Sequence, residues 1–249
     1  MTESEWLSAK KPRPCEEIAR EFGDARKLRL LMVGYLEPLQ EVFSAGAKGV
    51  FLMLREWAEG ERKAIEDRPW SAPDGPLGDY MERSPKGLAS DAVGWVVHHG
   101  SKIDPHRTYD IAMPAADVMD RAAQALVLNR VGKSPPKVSI THPSFQAWSQ
   151  AWQSELQALQ AKQADLMRCV YGNPYRPVAI APEWPRWKDG TVRNIAQAIY
   201  DERAFDRLPI LADALEEAGC ANRDVLNHCR SDAAHARGCW VVDLILNKK

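Results

Sequence analysis

The residues best equipped for chemistry lie near the end of the chain, where Cys220, His228, Cys229, His235 and Cys239 fall within a short stretch. Thiolate and imidazole are the ligands that zinc prefers, usually four in a tetrahedron. Cys220, Cys229, His235 and Cys239 would form a Cys3His set spaced C-x8-C-x5-H-x3-C. The short C-x2-C knuckle of zinc ribbons is absent. The plainer expectation is that Cys220 and Cys229 face a helical core as small apolar side chains. A second cluster comprises His98 and His99, followed by Asp104, His106 and Asp110. Imidazole beside carboxylate can bind a metal or move protons, so His98, His99, Asp104 and His106 are the catalytic candidates. Their spacing matches no zincin or phosphohydrolase pattern, and an exposed polar helix end is the plainer explanation. The third group, Trp184, Arg186 and Trp187, sits in the proline-rich run APEWPRW. Trp and Arg are the residues that anchor protein interfaces; they also pin irregular linkers onto a helical body.

Other chemistries lack their signatures. No G-x-G-x-x-G, G-x4-G-K-[ST] or G-x-S-x-G occurs in the chain, so the dinucleotide, P-loop and nucleophile-elbow readings have no motif behind them. The 33 basic and 34 acidic side chains give a formal net charge of -1, which argues against a protein built to coat nucleic acid or an anionic membrane. Basic residues of the tail, among them Arg193, Arg207, Arg230 and Arg237, are interleaved with acids such as Asp201, Glu202 and Glu216. Nucleic acid is therefore not the expected partner.

The elements that must position these groups read almost entirely as helix. Residues 14–22 place glutamates in a first turn, where the helix dipole favours them, and Asp24 can cap a helix over 25–43. Pro38 should kink or split that helix near Glu37. A further helix is expected over 47–66. Prolines and glycines crowd 68–87, which predicts an irregular loop. Helices should follow at 89–99 and 114–131. Residues 137–141 alternate and could form one short strand, but no partner strand is evident. The clearest periodicity is at 144–171, where Phe145, Trp148, Trp152, Leu156, Leu159, Leu166 and Val170 recur at helical spacing. Gly172-Asn173-Pro174 should stop it. Short helices are predicted over 191–204, 208–218, 222–230 and 239–246.

Two segments resemble a family of bacterial proteins with no assigned activity. One is the start, MTESEWLSAKKP followed by RKLRL. The other is the tail from Tyr171 onward: GNPYRPV, QAIYDERAFDRLPILADALEEAGC, HCR and HARGCWVVDLIL. The resemblance implies a helical, cytoplasmic bacterial protein and implies no reaction; the middle of the chain does not share it.

With 249 residues, 45% apolar and 27% charged, the chain has the composition of an ordinary globular protein. The five cysteines, an odd number, and the absence of an export signal fit reduced thiols in a cytoplasm. No apolar run is long enough for a bilayer. The expectation is a mainly α multi-helix bundle with little or no β structure. It divides into a helical body over 1–172 and a smaller helical module over 173–249. The expected function is a cytoplasmic interaction or regulatory adaptor, more a binder of another protein than an enzyme. The alternatives are a small helical zinc protein using the tail cluster, and an enzyme centred on His98, His99 and His106.

Overall fold

The computed structural model describes residues 2–12, 15–22, 24–41, 43, 45–60, 124–131 and 136–248. Among these residues the protein is mainly α, 70% helical, with no strand or sheet. Its helices are α1 (Glu3–Ser8), α2 (Cys15–Phe22), α3 (Ala25–Leu36), α4 (Ala45–Ala58), α5 (Pro143–Tyr171), α6 (Trp187–Glu202), α7 (Leu208–Glu217), α8 (Arg223–Arg230) and α9 (Trp240–Leu246). Residues 124–131 are also helical. The stretch 137–141, weighed above as a strand, is irregular, mostly turn and bend, with Ile140 72% exposed. The catalytic candidates His98, His99, Asp104 and His106, and the 68–87 loop, lie outside the described residues.

Two compact units make up the chain. The middle unit is Lys10–Gln163; the terminal unit joins Met1–Ala9 to Ala164–Lys249. The division therefore falls before the last turns of α5, earlier than the boundary at 172 expected from sequence, and the N-terminal residues belong with the tail.

In the middle unit, Asp24 caps α3 by accepting a hydrogen bond from the Lys27 amide at 2.9 Å. The helix ends at Leu36, and Glu37–Leu39 continue as a 3-10 turn containing Pro38. A proline ring cannot accept the preceding α-helical turn, and its missing N–H removes a bond. Leu28, Leu31, Leu36, Phe51 and Leu54 are at most 1% exposed.

In the terminal unit, α5 stops where Gly172 adopts φ +67°, a conformation that costs glycine little. Regular helix in α6 begins only after Lys188, Asp189 and Gly190, which all have positive φ. Asn222 caps α8 through its side-chain oxygen, which accepts from the Asp224 and Val225 amides. Ile199, Leu208, Leu211, Leu215 and Val242 form the core of this unit together with four cysteines. That core holds four elements in register: the end of α5, α8, the 231–239 loop and the start of α9.

Candidate metal centre

Each of those four elements contributes one side chain that could ligate a metal. Cys169 lies in the last turn of α5, His228 in the last turn of α8, His235 in the following loop, and Cys239 at the N-cap of α9. Their ligand atoms all lie within 4.8 Å of one another. The Cys169 Sγ is 3.4 Å from His235 Nδ1. His228 Nε2 is 3.3 Å from the Cys239 Sγ. The two imidazole rings meet nearly at right angles, 85°, with centroids 4.9 Å apart. A tetrahedral zinc with bonds of about 2.3 Å to sulfur and about 2.0 Å to nitrogen places its ligand atoms roughly 3.3 to 3.8 Å apart. The observed cluster needs only small side-chain adjustments to reach that size.

Burial and charge point the same way. Cys169 is 1% exposed and Cys239 fully buried, while the two histidines are half-buried at the rim. Burial drives the Cys169 thiol well above the usual range, and its hydrogen bond to Cys239 adds to the shift. Burial opposes ionisation at Cys239 too, yet the bond to Cys169 and the neighbouring His228 and His235 rings hold it well below that range. Burial works against a charged His235, but Cys239 and the Ser231 carbonyl outweigh it and raise its pKa. An isolated thiolate in such a core would be costly. Zn2+ with two thiolates and two neutral imidazoles is electrically neutral, which makes this burial tolerable.

Orientation of the rings is also provided for. His235 Nε2 lies 3.4 Å from the Ser231 carbonyl. With Nε2 protonated and donating there, Nδ1 is left as the ligand atom, the outer arrangement typical of metal-bound histidine. The His228 ring packs on the indole of Trp240, centroids 5.4 Å apart.

Of the four metal candidates taken from sequence, His235 and Cys239 lie in this cluster and Cys220 and Cys229 do not. Both of the latter are buried in the apolar core, and burial pushes both thiols up. The reason for Cys229 is helical geometry. Adjacent residues on a helix point about 100° apart, so His228 and Cys229 cannot face the same centre. His228 was in view in the sequence but set aside for its neighbour. Cys169 was missed because it stands 66 residues before His235, beyond any local spacing rule. Its one sequence signal is a cysteine on the last turn of a strongly periodic helix.

The aromatic candidates separate as well. Trp184 is 8% exposed and belongs to the core of the terminal unit, so it is not a surface anchor. Trp187 is half-buried beneath the Lys188 ammonium, 4.1 Å from the ring centroid, and Arg186 is exposed. Comparison with protein-family models, with curated proteins and with solved structures finds no match. Among the described residues, no helix is long and apolar enough to cross a membrane.

Proposed function

We propose that the terminal unit is a zinc-binding helical module in which Cys169, His228, His235 and Cys239 hold one structural metal ion. One observation carries this reading: four ligand atoms from four separate elements converge within 4.8 Å, with both sulfurs buried. Two isolated Cys–His hydrogen bonds would satisfy the same groups in pairs but would not require the pairs to share a centre. A sulfur and imidazole set favours zinc over the hard cations magnesium and calcium. The protein fills all four positions and the thiols are shielded from solvent, so no place remains for the water that a catalytic zinc keeps. The ion's work is then to tie α5, α8, the 231–239 loop and α9 together.

Elemental analysis of the untagged protein tests this. The expected content is about one zinc per chain, and less than about 0.2 would sink the proposal. Cobalt replacing zinc should give the sulfur-to-metal charge-transfer absorption of a two-thiolate site, and Cys169→Ser should abolish it.

The adaptor role read from the sequence has no comparable geometry behind it, because Trp184 is a core residue. Several basic residues of the tail are engaged within the unit. Arg207 pairs with Glu202 at 2.7 Å, and Arg230 with Asp213 and Glu216 at 2.7 and 2.6 Å. Arg237 and Lys248 both lie over the Tyr200 ring. The family resemblance implies no reaction and is compatible with a structural metal.

A further inference from the structure

The N-terminal helix is attached to the same few residues that surround the metal cluster. α1 has six residues, far too few to persist alone in water. Its own stabilisation is local: Thr2 and Glu5 form a capping box. The rest comes from docking. The Trp6 indole N–H, in a side chain only 3% exposed, donates to the Gly172 carbonyl at 2.9 Å. The Arg168 guanidinium donates to the Trp6 and Ala9 carbonyls at 3.3 and 2.8 Å. Asn173 donates to the Glu3 carboxylate at 2.7 Å, which also pairs with Arg176.

This dock adjoins the cluster by two routes. Arg168 directly precedes Cys169 on α5. Gly172 lies against Trp240 so closely that a Cβ on it would sit 3.0 Å from the indole. Trp240 in turn follows Cys239 in the chain and packs on the ring of His228. A metal that draws Cys169, His228 and Cys239 to one centre therefore fixes the Arg168 side chain's base and clamps Trp240 between His228 and the Gly172 turn. Without it, the ends of α5, α8 and α9 are held by apolar contact and by the weaker Cys169–His235 and His228–Cys239 hydrogen bonds.

We infer that metal occupancy at the Cys169, His228, His235 and Cys239 cluster controls the docking of α1, which is a strap released when the site is empty. The inference rests on the zinc reading above. Coupling of this kind is reciprocal: zinc strengthens docking by the factor by which docking strengthens zinc binding.

The test uses the full chain, zinc-loaded and after removal of zinc by a chelator, with metal content measured on both samples. The indole N–H resonances of Trp6 and Trp184 are assigned by Trp6→Phe and Trp184→Phe and followed by NMR. Trp6 reports the dock and Trp184 the unit's core. Zinc removal should speed solvent exchange of the Trp6 indole by about 10-fold or more, while Trp184 stays protected. Correspondingly, Trp6→Ala should weaken zinc binding by about 10-fold in competition with a chelator, with the Trp184 resonance unmoved. If zinc binds and Trp6 exchange is unchanged by its removal, or Trp6 and Trp184 are lost together, the strap is overturned and the zinc site stands. Unchanged zinc affinity in Trp6→Ala overturns it likewise. If the loaded sample holds no zinc, both proposals fall.

Discussion

The two units solve the problem of a stable interior by different chemistry. The described core of the middle unit is aliphatic and aromatic, with Leu28, Leu31, Leu36, Phe51 and Leu54 almost fully buried. The unit also carries ion pairs beside that core: Arg26 pairs with the nearly buried Glu59 at 3.6 Å, and Arg55 sits over the Phe51 ring at 4.6 Å and pairs with Glu37 at 3.1 Å. The terminal unit places four cysteines in its interior, and its helices after α5 are short, none longer than sixteen residues. Short helices bury little apolar surface each, and small units are the ones that recruit metals. The contrast teaches where the proposed metal would matter most: at the convergence of three helix ends and a loop.

Breaking the contrast outright means removing a ligand. Cys169→Ser and Cys239→Ser should each abolish zinc binding and destabilise the terminal unit by on the order of 3–5 kcal/mol. Each leaves the other ligands buried and uncompensated. Chelation of the wild-type protein should lower the unit's melting temperature in the same direction without unfolding it at ambient temperature, so the Trp184 core stays formed. Thermal unfolding followed with and without chelator would check this; a terminal unit that melts identically in both would refute it.

The middle unit supplies the counterpart. Phe51→Ala removes a ring that is 1% exposed and lies 5.4 Å from Phe43. It should cost about 3–5 kcal/mol through lost burial and the cavity left behind. That loss should be the same whether zinc is present or chelated. A loss that grew on chelation would mean that the two units do not respond independently.

A smaller effect sharpens the comparison through its sign. In the zinc-free protein His235 has a raised pKa, against burial and in favour of its Cys239 and Ser231 partners. Its contribution to stability is then complete below the unfolded value of about 6.5 and is lost as pH rises through the raised folded value. In the zinc-loaded protein protons compete with the metal for the ligands, so stability falls as pH falls. Without zinc, Cys239, whose thiol is held below its usual range, works with the opposite sign to His235. Unfolding across neutral pH should therefore be nearly flat without zinc and should lose stability as pH falls with it. Parallel slopes would mean that His235 is not a ligand.

Much of this architecture is legible in the sequence. Asp24 as a cap, the break at Pro38, the periodicity of α5 and its stop at Gly172 are all local signals, and each appears in the structure. Half of the proposed cluster was legible for the same reason, since His235 and Cys239 are close in sequence. The other half was not. Cys169 comes from a helix separated from the loop by the whole of α6, α7 and α8, and only tertiary packing brings it there. For Trp184 the packing alternative holds and the interface one does not; a proline-rich loop carries no period to reveal which of its side chains turn inward.

The smallest expected effect separates the ligand set of the structure from the one spacing suggested. Cys229→Ala and Cys220→Ala remove buried sulfurs that pack among Leu215, Val225 and other core residues, and each should cost about 1 kcal/mol. Neither should change the zinc content. His228→Ala should abolish the zinc, although it alters the residue directly before Cys229 in the chain. Two neighbouring positions on one helix would then give opposite answers in elemental analysis, as expected where one faces the metal and the other the apolar core. Loss of zinc in Cys229→Ala with retention in His228→Ala would reverse the assignment and restore the set read from spacing.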